Sequence, residues 1–287
     1  ISTAIKYFPD KRGFAGGLVT AVYGFSSVIV PPIAQVLTQH YGIMNTFVIL
    51  GTVFALVIMF CGYFCERCPE DFNPLNKHGD EKTRTAVTGL TWRQMLASPI
   101  FWPMIALLMC GAVSAMMILS QAASIAQNEI GMNATSAAAA VSTIAFFNMA
   151  GRLVAGTLSD KLGRIGVLMF GLIFAALGLI VLMNSGQGDY VLFYCGCILI
   201  GISFGTFMSI YPGFTADRFG AKHAGVNYGI MFSGFSVAGL MGPIIMQQMI
   251  ANGMDFAACC QVGITFCVLG FVFALVYKSM IEHKKVQ

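Results

Sequence analysis

Charge is what this sequence has least of. Only 10% of its 287 residues are Asp, Glu, Lys or Arg, against roughly 25% in soluble domains. No run of basic residues is present, which sets nucleic acid aside as a partner. No short basic region leads into an isolated apolar core, so no signal peptide is read. Cys61, Cys65 and Cys68 cluster at a helix end, but no fourth ligand sits nearby at metal-site spacing. The other cysteines lie in apolar runs and act as small apolar residues. Neither a metal nor a cofactor is therefore expected. Acidic residues and histidines are missing from the apolar runs: His40, His78, His223 and His283 all fall in links or tails. A membrane enzyme would need a convergent catalytic set, and a receptor a large soluble domain. Neither is visible, so no enzyme is expected.

What the chain does have is apolar length. It is 57% hydrophobic, with a mean hydropathy of +0.78. Eight stretches can cross a hydrocarbon core of ~30 Å at ~1.5 Å per residue. They run approximately Gly13–Leu37, Met44–Cys65, Phe101–Ser124, Ala134–Thr157, Ile165–Met183, Tyr190–Tyr211, Ala224–Ile250 and Phe256–Lys278. They show no period-2 alternation, so they read as helices and not barrel strands. The expected class is an all-α membrane protein in a lipid bilayer. The links alternate in charge. "QHYGIMN", "NEIGMNAT", "NSGQGDY" and "ANGMDF" hold no Lys or Arg, while fifteen of the sixteen basic residues lie on the opposite side. That side, with the C-terminus, should face the cytoplasm. The sixteenth basic residue is Arg152, inside a span.

One link, from Glu66 to about Ile100, is long, polar and charge-rich, and reads as a solvated linker. Within it, "LTWRQMLASPIFW" suggests a short interfacial helix. Two spans precede this linker and six follow. The chain also begins at Ile1, in what reads as a helix tail. The expectation is an N-terminally truncated protein of two six-helix halves: residues 1–66 end the first half, 67–100 are the linker, and 101–287 are the second half. A shift of 210 residues places Arg12 on Lys222 and the "GFS" at Gly24–Ser26 on that at Gly234–Ser236. This register fits parallel halves. Pro31, Pro32 and Pro243 are expected to kink their spans.

"GTLSDKLGR", Gly156 to Arg164, fits the G-x-L-x-D-x-x-G-R loop signature of the major facilitator superfamily. Gly156 allows close helix approach and Gly163 a tight turn. Asp160 is expected to cap the following helix and pair with a basic residue of a neighbouring bundle. Lys161 and Arg164 should hold the loop at the cytoplasmic face. The set reads as a latch between halves. Three stretches carry a closer resemblance: "KYFPDKRGFAGGL", "PGFTADRFGAKHAGVNYG" and "NMAGRLVAGTLSDKLGR". Together they resemble the oxalate/formate antiporter family, which is related to the monocarboxylate transporters. The resemblance implies a major facilitator fold with eight of twelve helices present. It further implies a secondary transporter working by alternating access, with a small carboxylate anion as cargo and a proton or counter-anion as coupled ion. A monomer in a bacterial or archaeal inner membrane goes with this.

An arginine at a membrane helix centre costs about 2.5–3.5 kcal/mol to insert. Snorkelling is opposed by geometry: helix side chains tilt toward the N-terminus, which here points away from the cytoplasm. Around Arg152 at helical spacing lie Asn148, Met149, Ala145 and Gly156, a mostly small face suited to a cavity. No acidic partner is in sight, and a carboxylate cargo could supply one with bidentate geometry. In the antiporter family an arginine at this position binds the substrate carboxylate. The resemblance also implies a cavity lined by Tyr23, Phe204 and Phe232, with Met208 where the oxalate carrier has a tyrosine. Asn148 stands where animal monocarboxylate transporters place a coupling aspartate, and it cannot titrate. Phe235, eight residues after Asn227, stands where the oxalate carrier has a second cation. One fixed charge suits a monoanion such as formate, lactate or pyruvate, since an unpaired carboxylate in a cavity of low dielectric is costly. The alternatives are oxalate/formate-type exchange or another small anion such as nitrate or phosphate. Phe235→Lys should therefore improve uptake of dicarboxylates relative to monocarboxylates. An unchanged substrate profile would contradict the single-cation reading.

Overall fold

The apolar stretches fold as helices, as the need to satisfy every backbone group inside lipid requires. The computed structural model describes residues 1–64, 66 and 89–286. The helices are α1 (Ser2–Tyr7), α2 (Arg12–Tyr63), α3 (Trp92–Ala97), α4 (Phe101–Asn128), α5 (Ala134–Leu162), α6 (Arg164–Met183), α7 (Tyr190–Phe219), α8 (Ala224–Ala251) and α9 (Phe256–Val286), with a 3₁₀ turn at Pro9–Lys11. Among the described residues eight segments are long and apolar enough to cross a membrane, α2 supplying two of them.

The first two expected spans run together as α2, but its backbone leaves helical geometry at Gly42 (φ 76°, ψ 165°). Thr38 Oγ1 donates to Thr46 Oγ1 at 3.4 Å across that point. Eight residues of straight helix would separate them by ~12 Å, so the chain doubles back there. Positive φ is open to glycine at little cost. Among the described residues of α2 the break lies at Gly42. No residue of α8, Pro243 included, leaves helical φ/ψ. The expected interfacial helix is α3, opened by a capping box in which the Thr91 N–H donates to Gln94 Oε1 at 2.9 Å. Residues 67–88 of the expected linker, Cys68 among them, and Cys65 just before it lie outside the described residues.

Connections between the later helices are short, so successive helices run antiparallel. α5 and α6 are separated by Gly163 alone (φ 85°). α7 packs broadly against α5 and α6, and α4 against α8 and α9, while the first part of α2 lies on α5 and α7. Apolar area alone does not hold helices together in lipid. Close approach at small residues and interhelical hydrogen bonds do. Both occur here. The Tyr211 hydroxyl, fully buried on α7, donates to the Met104 carbonyl of α4 at 2.8 Å. Gly205 of α7 lies against the Asn148 carbonyl of α5, where a Cβ would overlap the oxygen.

Gly205→Ala must push α5 and α7 apart and should destabilise the purified protein by about 1–3 kcal/mol. Gly166→Ala, at a helical site where a Cβ meets nothing within 4 Å, should stay within about 1 kcal/mol. Thermal unfolding in detergent compares them, and equal midpoints would contradict the packing account.

Candidate functional site

Arg152 sits where α2 and α7 both close on α5. A Cβ on Gly17 of α2 would lie 2.7 Å from the Arg152 carbonyl oxygen, and one on Gly205 of α7 would lie 2.9 Å from its backbone nitrogen. Wrapped by these backbones, Arg152 is only 5% exposed. Nε donates to Asn148 Oδ1 at 3.0 Å, one turn earlier on α5. Nη1 donates to the Thr20 carbonyl of α2. The Tyr23 ring, its centroid 5.9 Å from Cζ, supplies a cation–π contact. Among the described residues Arg152 joins no ion pair and Nη2 makes no hydrogen bond. The guanidinium is thus held by neutral groups with one nitrogen left over. Because Nε is already committed, a carboxylate would have to approach the Nη end.

The aromatic residues singled out in the sequence form a second group. Phe232 and Phe235 of α8 stack at 4.7 Å, Phe235 meets Phe204 of α7 at 5.9 Å, and Tyr228 meets Phe232 at 5.4 Å. Tyr228 also lies within electrostatic reach of Arg152, linking this group to the cation. Met208 is buried one turn beyond Phe204. Tyr23 is 76% exposed apart from its contact with the guanidinium. The sequence reading missed Thr20 and Tyr228. Thr20 acts through its carbonyl, which no residue type announces. Tyr228 could have been found as a phenol on the helix face that carries Phe232 and Phe235.

The "GTLSDKLGR" segment anchors an ionic cluster at the basic ends of the helices. Gly156 approaches α2 so closely that a Cβ would lie 2.5 Å from the Gly13 carbonyl oxygen. Asp160 does not cap the following helix, as expected from sequence. Its carboxylate accepts from the backbone N–H groups of Gly13 and Phe14, each at 2.9 Å. Those are orphan donors of the first turn of α2, where the helix dipole favours a negative charge. Its ion pair is also not with another bundle but with Arg164 of its own motif, at 2.7 Å. Arg164 is not a solvated loop charge: its side chain is only 12% exposed, and its Nε donates to Asp217 of α7 at 3.0 Å. Asp217 in turn holds Arg12 of α2 at 2.8 Å. Lys161 is exposed and Gly163 makes the turn. Asp217, absent from the sequence reading, is the second carboxylate of this cluster.

Residues 1–243 match the Major Facilitator Superfamily family profile. The chain belongs to the Major Facilitator Superfamily. Its apolar helices make it a multi-pass integral membrane protein. It is 28% identical over 242 residues to YhjX of Escherichia coli, an uncharacterised MFS-type transporter, covering 84% of this chain and 58% of that protein. It is 25% identical over 246 residues to the oxalate:formate antiporter of Oxalobacter formigenes, covering 84% and 56%. A 38 kDa protein of Thermoproteus tenax encoded in a 23S RNA operon is 24% identical over 250 residues, covering 87% and 59%. The chain thus spans somewhat over half the length of these relatives.

Removing a carboxylate cap typically costs about 0.5–2 kcal/mol. Asp160→Ala should therefore lower the unfolding temperature of the purified protein, while Lys161→Ala leaves it unchanged. Parity of the two variants would contradict the capping role.

Proposed function

We propose that this chain forms most of a secondary transporter that moves small monocarboxylate anions by alternating access. In this reading residues 1–66 end one six-helix half, 67–100 link the halves, and 101–287 form the other. The basic helix ends and the C-terminus face the cytoplasm, and the transporter acts as a monomer. The observation that carries the reading is Arg152: a buried guanidinium held only by neutral groups, with Nη2 left for a ligand. A carboxylate supplies the charge the fold leaves out, and charge-assisted hydrogen bonds are the strong ones. Tyr23 and the aromatic group of Phe204, Phe232 and Phe235, with Met208, line the path, and Asn148 fixes the orientation of the cation. Asn148 carries no proton to exchange, which favours a counter-anion over a proton as the coupled species. The cluster of Asp160, Arg164, Asp217 and Arg12 is the cytoplasmic latch, with Gly156, Gly163 and Lys161 completing its loop.

The similarity to the Oxalobacter antiporter supports a second reading, exchange of a dicarboxylate for formate. Against it stands Phe235, packed among rings where a second cation would be needed.

Counterflow of labelled formate, lactate and oxalate into proteoliposomes of the full-length transporter tests both. Formate or lactate should exchange faster than oxalate, and Arg152→Ala should abolish exchange, the loss of one charge-assisted contact being worth ten-fold or more. Wild-type rates in Arg152→Ala would refute the anchor. Oxalate preference would select the second reading.

A further inference from the structure

Asn227, the asparagine of the "NYG" stretch, does no work in the transport reading above. It is fully buried at the start of α8. Its Nδ2 donates to the Leu90 carbonyl at 2.9 Å, a residue 137 positions earlier at the end of the linker. The Leu90 N–H donates to the Phe219 carbonyl at 2.8 Å, and Gly89 pairs antiparallel with Gly220. A Cβ on Gly89 would lie 2.9 Å from Lys222 Cβ, so the two backbones touch. Two residues of linker therefore form a strap across the corner between α7 and α8.

That corner also receives the first helices of the chain. Ile5 of α1, 2% exposed, packs with Ala216 and Ala224, one on each arm of the corner. Arg12 of α2 reaches Asp217, two residues before Phe219. The strap and the latch thus share one turn of chain, and Asn227 is the side chain that ties the strap to α8.

We propose that Asn227 is a positioning residue for the latch: by holding Leu90 it fixes the α7–α8 corner at the angle at which Asp217 and Ala216 meet Arg12 and Ile5. The linker end is then a working part of the gate. A hydrogen bond of this buried kind stabilises by an amount worth about five-fold in an equilibrium, so loosening the strap shifts the gate toward its open state by about that factor. This rests on the latch reading of the ionic cluster.

The experiment uses the full-length transporter in vesicles, with Ser209→Cys as reporter. Ser209 is buried on α7, its carbonyl 3.3 Å from where a Cβ on Gly16 of α2 would lie, so it becomes accessible when α2 and α7 part. An impermeant maleimide is added from the face that carries Asp217. Asp217→Asn, which breaks the latch directly, should speed labelling. Asn227→Ala and Leu90→Pro remove different hydrogen bonds of the same strap, and each should speed it about five-fold. The natural thiols Cys197 and Cys267, buried in the bundle, should stay protected. Unchanged labelling in both strap variants, with a clear rise in Asp217→Asn, overturns the role of Asn227. So does a parallel rise at Cys197 and Cys267, which would mean general loosening. No rise in Asp217→Asn overturns the latch itself, and the strap proposal with it.

Discussion

Burying a guanidinium inside an apolar bundle is costly, and in this chain two of its three nitrogens are satisfied without a counter-charge. The solution begins with glycine. Gly17 and Gly205 let the backbones of α2 and α7 close on α5, and that approach brings the Thr20 carbonyl within reach of Arg152. A helical carbonyl has a second lone pair to give, so α2 keeps its own ladder while solvating the cation. Asn148 supplies a second dipole from within α5. The packing of three helices and the state of one charge are therefore a single problem with a single answer. Larger residues at the glycine positions would move the carbonyl away and leave the cation unsolvated.

At the basic ends of the same helices the arrangement is reversed, with charge meeting charge. The pairs among Arg12, Asp217, Arg164 and Asp160 are partly exposed, and such pairs stabilise by about 0–1 kcal/mol each. Their weight comes from sharing. Asp217 receives two arginines, and Asp160 receives Arg164 together with two backbone donors of α2. A partner lost at one point is partly replaced at another. Under the proposed latch reading, such sharing suits a contact that forms and parts repeatedly.

Much of this was legible beforehand. Span number and class follow from apolar length, since lipid permits few alternatives to helices. Arg152 stood out because charge is rare where it lies, and its small-sided helix face could be read from spacing. Gly163 at the turn was legible because chain reversal favours glycine. The errors concern contacts distant in sequence. Asp160, expected to cap the helix after it, proved to cap the first turn of α2 through a bond to Gly13, 147 residues earlier. Arg164 looked like a loop charge and proved half the glue of the cluster. Asp217, amid "TADRF", resembled any acid at a helix end. Periodicity reports which face of a helix is apolar. It does not report which other helix that face will meet, and carbonyl acceptors such as that of Thr20 leave no trace in residue type at all.

The single-residue link between α5 and α6 has a consequence for charge. Because only Gly163 separates them, Asp160 and Arg164 stay four residues apart in one stretch of chain whatever α2 does. If α2 withdraws, Asp160 loses two amide donors and Asp217 loses Arg12, yet both carboxylates still hold Arg164. Water can fill the vacated positions at the helix end, and neither acid is stranded bare beside lipid. On the proposed latch reading, the seam would part without creating an isolated ion.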